Sequence, residues 1–212
     1  MNEITPLVDV AVAISRGAVG LHAGLVYHDQ FQRRHILHLE MHERLAVTER
    51  VDGWAFATPA IDPEELSLLA GFCELRASLR SKVPYGFRFE TSTFADDGEL
   101  QLGAGEIGLT CATFVLAVFN WAKISLLSES TWTERSPERV AEDDAAQAAL
   151  VALIRLRKLA PVSHADQLES EVGCLRFRVE EVAAASSISP HPVTFAVAEP
   201  AGRRALEEFS RL

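Results

Sequence analysis

The segment Gly108-Leu109-Thr110-Cys111-Ala112-Thr113-Phe114-Val115 decides how this chain is interpreted. A glycine-rich stretch, 103–108, precedes it, and because glycine is costly inside a helix we expect a loop that ends there. Thr110 is a suitable helix N-cap, since its hydroxyl can accept a hydrogen bond from a free amide of the first turn. From Cys111 the residues stay almost continuously apolar to Ala122, which predicts a helix buried on most of its faces.

This placement puts Cys111 in the first turn of the predicted helix. Unpaired backbone N–H groups and the positive end of the helix dipole both favour the thiolate, the form of cysteine that acts as a nucleophile. The alternative is that Cys111 is a small buried hydrophobic residue, as many free cysteines are. The segment alone leaves both interpretations open.

The composition is that of an acidic globular protein. The chain has 212 residues, of which 48% are hydrophobic and 24% charged, and its formal net charge is −10 at pH 7. This balance opposes non-specific binding to nucleic acid or to anionic membranes. The uncharged run 107–122 stops at Lys123, short of the roughly 20 apolar residues that a spanning helix needs. We therefore expect a buried core helix and no membrane span.

Three cysteines, Cys73, Cys111 and Cys174, lie far apart and form no CxxC pair. An odd number of separated cysteines does not suggest a disulfide framework, so we expect a reducing, cytoplasmic setting. The N-terminus has no basic stretch followed by an apolar one, and no signal peptide is expected.

The residues before the central helix predict an antiparallel sheet and one further helix. The strand-like segments are 7–16 (a strand or a short helix), 22–27, 35–41 and 47–57. The second and third of these flank a polar turn, which suggests a hairpin. Asp62-Pro63-Glu64-Glu65 is a typical helix start, and the helix should run to about Leu79 with Cys73 as a structural residue.

The last third of the chain is predicted to be mainly helical. After a polar linker, 131–137, Ser136-Pro137 opens a helix whose candidate buried positions are Val140, Ala145, Leu150, Ile154 and Leu156. Further predictions are a short helix over 164–172, a strand over Cys174–Val179 with Cys174 in the core, a loop over 186–192 and a last helix over Arg203–Leu212. The fold class is α+β: residues 1–130 form a domain with a central helix on an antiparallel sheet, and residues 131–212 form a mainly helical C-terminal extension packed on it.

Four separated motifs resemble a known superfamily when they are taken in chain order. They are His-Ala-Gly-Leu-Val-Tyr at 22–27, Ile-Leu-His-Leu at 36–39, Pro-Tyr-Gly at 84–86 and Leu-Thr-Cys-Ala-Thr-Phe-Val at 109–115. Together they are similar to the circularly permuted NlpC-type papain-like proteins, which include the lecithin–retinol acyltransferase-like enzymes. The order of histidine before cysteine marks this permuted branch.

The resemblance, which covers about residues 10–125, implies roles for individual residues. Cys111 would be the nucleophile, His22 its general base and His38 the residue that orients His22, while Tyr85 would lie near the oxyanion site. Under a different strand register His35 replaces His38, so the third residue is left open.

The leading functional hypothesis is a cysteine hydrolase (peptidase or amidase) or acyltransferase that cleaves an amide, ester or thioester bond through an acyl-enzyme on Cys111. Its substrate would be a peptide, an amide or an acyl small molecule, and no cofactor or metal is required. The second hypothesis is a catalytically inactive papain-like binding module. The third is a transition-metal site at His38, Glu40 and His42, which strand alternation would place on one face.

Overall fold

The computed structural model describes residues 9–17, 20–79 and 81–211. Its larger sheet has five antiparallel strands in the order β4-β3-β2-β1-β5: β1 (Val10–Gly17), β2 (Gly20–His28), β3 (Arg34–Met41), β4 (Arg44–Thr48) and β5 (Trp54–Ala57). A two-stranded sheet pairs β6 (Thr93–Phe94) with β7 (Leu100–Gln101). The helices are α1 (Pro63–Leu79), α2 (Cys111–Trp121), α3 (Pro137–Arg157), α4 (Val162–Ser170), α5 (Val179–Ser186) and α6 (Phe195–Phe209). The predicted α+β class is confirmed.

The two faces of the five-stranded sheet bury different clusters of side chains. Because side chains alternate along a strand, Val12 and Leu25 point into the main core, which also contains the apolar residues of α2. Their neighbours Ala13 and Val26 point to the other face, where a smaller cluster includes Ile36. Helices therefore cover the sheet on the face that points into the main core.

Helix α2 lies at the centre of the main core, as the sequence predicts. Thr110 caps it: its hydroxyl accepts from the amide of Thr113, and the Thr113 hydroxyl accepts from the amide of Thr110. Phe114 and Phe119 are fully buried, and the helix packs against β2, β3 and α5. This reciprocal capping fixes the residue at which the helix begins, and that residue is Cys111.

The predicted elements before α2 differ from the structure mainly in one strand. The segment predicted over 7–16 is a strand from Val10, since β1 spans Val10–Gly17, while residues 7 and 8 lie outside the described ranges. Helix α1 ends at Leu79 as expected. The single strand predicted over 47–57 is instead two strands, β4 and β5, because the chain turns at Gly53, whose φ is +78°. A left-handed backbone of this kind favours glycine and interrupts an extended run.

The C-terminal third departs further from expectation. The polar linker predicted over 131–137 contains a 3₁₀ helix, Glu129–Glu134, that buries Trp132 completely. The strand predicted over Cys174–Val179 is wrong, since this segment pairs with no strand in the described part of the chain and Cys174 is half-buried. The last helix begins at Phe195, earlier than predicted, and α5 had no counterpart in the sequence analysis.

The buried face of α3 is also different from the one predicted. The buried residues are Asp143, Gln147, Val151 and Ile154, so only Ile154 of the predicted set is buried. Val140 and Ala145 are exposed, and Leu156 is 80% exposed. Polar residues occupy this face because Asp143 pairs with Arg135, whose guanidinium also contacts Glu181 at 2.7 Å.

Within the described ranges, no helix has the length and apolarity needed to cross a membrane.

Candidate active site

A cavity of about 390 Å³ opens between the ends of β2 and β3, the start of α2 and the C-terminal segment. The sequence-predicted residues Cys111, His22, His38 and Tyr85 all line it. Its apolar wall includes Leu21, Leu39, Met41, Phe87, Leu150 and Phe177. Arg44, Arg157 and Arg176 also line it, so the C-terminal extension contributes directly to the cavity.

The cavity opens where β2 and β3 separate. Their ladder runs from the pair His28–Arg34 to the pair Leu25–Leu37 and stops there. Beyond Leu25, residues 20–24 of β2 have β1 as their ladder partner and lie beside the continuation of β3, which pairs with β4 but no longer with β2. This separation exposes backbone and side chains of both strands to the cavity.

His22 and His38 meet across this gap. The Nε2 atom of His22 and the Nδ1 atom of His38 are 2.8 Å apart, within hydrogen-bond distance. Both rings also pack against Trp54 of β5, with ring centroids 5.8 Å and 5.5 Å away. Burial, with a smaller contribution from the charge of His38, lowers the pKa of His22 to about 4. Burial likewise lowers the pKa of His38. The pair is therefore neutral at pH 7, and one ring donates to the other.

The sequence left open whether His38 or His35 is the third residue, and His38 is the one that lies beside His22. His35 is buried elsewhere: its Nε2 lies 3.1 Å from an Asp29 carboxylate oxygen, and its ring stacks on Tyr27 at 5.3 Å. His35 and His38 are three residues apart on β3, and because side chains alternate along a strand they project from opposite faces of the sheet.

Cys111 lies at the other side of the gap, against the backbone of Ala23. His28 donates its amide to Asp9 on the β1 side, and amide directions alternate along an antiparallel strand. The Ala23 amide therefore points towards β3, which no longer pairs at this position. It lies near the thiol instead, and together with the amides of Ala112 and of Cys111 itself it lowers the pKa of Cys111 by stabilising the thiolate.

Two opposing effects set the ionisation of Cys111. Burial raises the pKa of the thiol, and this is the larger effect. The backbone amides and the positive charge of Arg176 act in the opposite direction, because they stabilise the thiolate. The resting thiol is protonated, and the groups around it are arranged to accept negative charge.

Tyr85 is held beside Cys111 through its backbone. Its amide donates to Nδ1 of His42 at 3.3 Å, and its carbonyl accepts from Nε2 of His164 at 2.7 Å. The two imidazoles pack against each other, tilted by 38°, with centroids 3.8 Å apart. Burial and the nearby Cys111 raise the pKa of the Tyr85 phenol, so it remains a hydrogen-bond donor at any physiological pH.

The segment that carries Tyr85 also packs directly on the segment that leads into α2. Leu109 donates its amide to the Pro84 carbonyl at 2.9 Å, and its carbonyl accepts from the Gly86 amide at 3.3 Å. Gly86 and Gly108 face one another so closely that a Cβ at Gly86 would lie 2.6 Å from the Gly108 nitrogen. Glycine is required here by backbone-to-backbone contact.

The structure brings the four predicted residues to one cavity but joins them only in part. His22 and His38 are hydrogen-bonded; in the described ranges, no hydrogen bond links either imidazole to the Cys111 thiol. Side chains alternate along a strand, so His22 points to the same face of the sheet as Val26 on β2, and His38 to the same face as Ile36 on β3. Both histidines therefore project from the face that carries the smaller cluster. Cys111 packs on the main core and contacts β2 at Ala23, the residue that follows His22.

The proposed metal ligands are held apart. His38 bonds to His22, Glu40 pairs with Arg44 at 2.9 Å, and His42 lies against Tyr85 and His164. A register shift between Leu39 and Met41 breaks the alternation that would align the three side chains. Residues 9–17, 20–79 and 81–211 contain no group of three or more His, Cys, Asp or Glu side chains that could hold a metal ion.

Sequence reasoning missed three contributors from the C-terminal third. His164 fixes the Tyr85 carbonyl, Glu171 accepts the Phe87 and Arg88 amides at 2.7 Å and 3.2 Å, and Arg176 contributes positive charge near the thiol. Each acts across more than 60 residues of chain, so no local pattern identifies it.

Comparisons of this chain with protein-family models, with curated proteins and with solved structures find no match.

Proposed function

We propose that this protein is a cysteine-dependent hydrolase or acyltransferase with a permuted NlpC-type papain-like fold. The observation that carries the proposal is the position of Cys111: it is the first residue of α2, its thiol meets three backbone amides, and it shares a cavity with a hydrogen-bonded histidine pair. The scissile bond would be an amide, ester or thioester. The free state of all three cysteines supports a reducing, cytoplasmic setting.

The tautomers of the histidine pair define the direction of proton transfer. When Nε2 of His22 carries the proton and donates to Nδ1 of His38, Nδ1 of His22 is left unprotonated. This nitrogen takes the thiol proton as the Cys111 sulfur attacks the substrate carbonyl carbon. His38 then stabilises the imidazolium that forms, in the manner of the third member of a triad. In the free protein both histidines leave the sheet on the face opposite the main core, so this step requires Nδ1 of His22 and the Cys111 sulfur to come within hydrogen-bond reach when substrate binds.

The remaining steps use groups already on the cavity wall. Negative charge that develops on the carbonyl oxygen is stabilised by first-turn amides of α2 and by the protonated Tyr85 phenol. Collapse breaks the bond to the leaving group, which takes the proton from His22 and leaves a thioester on Cys111. Attack by water completes hydrolysis, and attack by another nucleophile completes acyl transfer.

The first test is alkylation of each cysteine by iodoacetamide, followed over pH by mass spectrometry. We expect Cys111 to react ahead of Cys73, whose pKa burial raises to about 12, and His22→Ala to slow Cys111 at least about tenfold. His28→Ala is the matched control, because His28 lies on the same strand outside the cavity. Equal labelling of Cys111 in the wild type and in His22→Ala would contradict the proposal.

The second candidate is an inactive papain-like binding module. The observation in its favour is that burial raises the pKa of Cys111 while neither imidazole hydrogen-bonds to its thiol. Incubation with acyl thioesters of increasing chain length separates the two candidates. A mass increase on Cys111 equal to the acyl group supports the enzyme, and the absence of any such adduct, with the fold intact, supports the module.

A further inference from the structure

The segment between α4 and α5 forms one wall of the cavity and carries Arg176. This segment has no regular secondary structure, and Arg176 lies near enough to Cys111 and Tyr85 to favour the ionised form of each. Its side chain is 38% exposed and lines the cavity. Arg176 is therefore close to Cys111 and Tyr85 and can also be reached by a molecule bound in the cavity.

The charge of Arg176 is incompletely paired. Its one ion pair in the described structure is to Asp143, at 3.3 Å. Asp143 is shared: Arg178 reaches the same oxygen at 2.9 Å, and Arg135 reaches the other at 3.0 Å. One carboxylate thus serves three guanidinium groups. Arg135 has Glu181 as a second partner, and Arg178 has Glu142.

The neighbouring charges do not remove this excess. Glu180 is close enough to Arg176 to interact with it electrostatically, but no ion pair joins the two in the described structure, and burial raises the pKa of Glu180. Arg44, the other arginine near the strand ends, has its own partner in Glu40. The cavity wall around Arg176 is otherwise largely apolar, with Phe177 and Val179 beside it. A partly exposed guanidinium that shares its carboxylate with two other arginines and borders apolar groups on the cavity side is suited to bind a carboxylate in a two-pronged geometry.

We propose that Arg176 binds a carboxylate on the acyl portion of the substrate, next to the carbonyl group that Cys111 attacks. The preferred substrates are then amides, esters or thioesters whose acyl group carries a second, anionic end, as in a half-amide of a short dicarboxylic acid. This inference rests on the proposed function and narrows its substrate class. Arg176 acts as a specificity residue, and its loss affects anionic substrates more than neutral ones.

A pair of reagents tests this inference without knowledge of the substrate. Iodoacetate is anionic and iodoacetamide is its neutral counterpart, and both alkylate the same thiolate: the S–C bond forms as the C–I bond breaks and iodide leaves. The ratio of their rate constants at Cys111 therefore cancels the thiolate fraction and reports recognition of the carboxylate. Mass spectrometry of the full-length protein gives both rate constants, with glutathione as the free-thiol reference.

We expect the iodoacetate-to-iodoacetamide ratio at Cys111 to exceed that of glutathione and to fall about tenfold in Arg176→Gln. Arg176→Lys, which keeps the charge without the planar fork, should give an intermediate ratio. Arg157→Gln is the matched control: Arg157 lines the same cavity without an ion pair in the described structure, but Arg176 is the arginine near enough to Cys111 to favour its thiolate. The ratio in Arg157→Gln should therefore stay within about twofold of the wild type.

Three outcomes overturn the inference. They are a wild-type ratio equal to that of glutathione, an unchanged ratio in both Arg176 variants, and an equal fall in Arg157→Gln, which would indicate a general positive field. Failure of the proposed function is a different result, namely that the iodoacetamide rate at Cys111 does not depend on His22. The ratio is defined at any absolute rate, so it still tests Arg176 in that case.

Discussion

Substitution of Gly108 by alanine should damage the site through backbone packing alone. A Cβ at this position would lie 2.6 Å from the Tyr85 carbonyl carbon, and closer still to Pro84, whereas real Cβ atoms essentially never approach within 3.0 Å. The segment 84–86 therefore has to retreat by at least about 0.4 Å. No flexible side chain can absorb this displacement, because the opposing atoms are backbone.

The cost follows from the contacts that the retreat strains. The hydrogen bonds that Leu109 makes to Pro84 and Gly86 each stabilise the protein by about 1 kcal/mol, and overpacking of a closed contact adds about 1–3 kcal/mol. We expect Gly108→Ala to lower the free energy of unfolding by about 3 kcal/mol. Tyr85 moves away from Cys111 at the same time, so acyl transfer should fall further than stability explains.

Urea denaturation followed by circular dichroism measures the first effect, and the rate of acyl transfer from an acyl thioester to Cys111, in the absence of denaturant, measures the second. Gly71→Ala is the matched control. Gly71 is exposed inside α1, and a Cβ there meets no atom within 4 Å, so this variant should be about 0.5–1 kcal/mol more stable than the wild type. If Gly108→Ala is as stable as Gly71→Ala, the close approach of the two segments is refuted.

Two further predictions concern buried charge. Because the pKa of His22 is lowered from 6.5 to about 4, the unfolded chain binds more protons between these values. The stability present above pH 6.5 is then lost as pH falls towards 4, by up to about 3 kcal/mol. Urea titrations should show this loss in the wild type and a flatter profile in His22→Gln; parallel profiles would contradict it. Arg135→Met, which leaves Glu181 without its buried cation, should cost about 3–5 kcal/mol, whereas Arg155→Met on the surface should cost under about 1 kcal/mol. Similar melting temperatures for the two arginine variants would count against the buried network.

The parts of the fold that local chemistry controls could be predicted from the sequence. The start of α2 follows from the glycine-rich stretch and the Thr110 cap, and the start of α3 follows from Ser136 followed by proline. Both signals act within four residues. The hairpin of β2 and β3 is similarly local, since two alternating segments flank a polar turn.

The errors arise where distant contacts decide the local structure. Alternation over Cys174–Val179 predicts a strand, but Arg176 and Arg178 alternate because both reach Asp143 on α3, and the segment pairs with no strand in the part of the chain that the structure describes. Likewise Trp132 is buried in a stretch of polar composition, where its indole donates to Glu181 at 3.2 Å. Neither partner is visible in a sequence window.

In the candidate site too, some parts are set by local sequence and others by distant contacts, and this difference affects how each part responds to mutation. The nucleophile side is local: Thr110 caps α2, and the amides around Cys111 come from the first turn and from Ala23. The donor side is assembled from distant segments, because Tyr85 is held by His42 and His164. Changes at His164 should therefore alter the stabilisation of the oxyanion before they alter the ionisation of Cys111, whereas changes at Arg176, whose charge also favours the thiolate, should alter both. An activity loss with unchanged iodoacetamide labelling is the expected signature of the His164 variants.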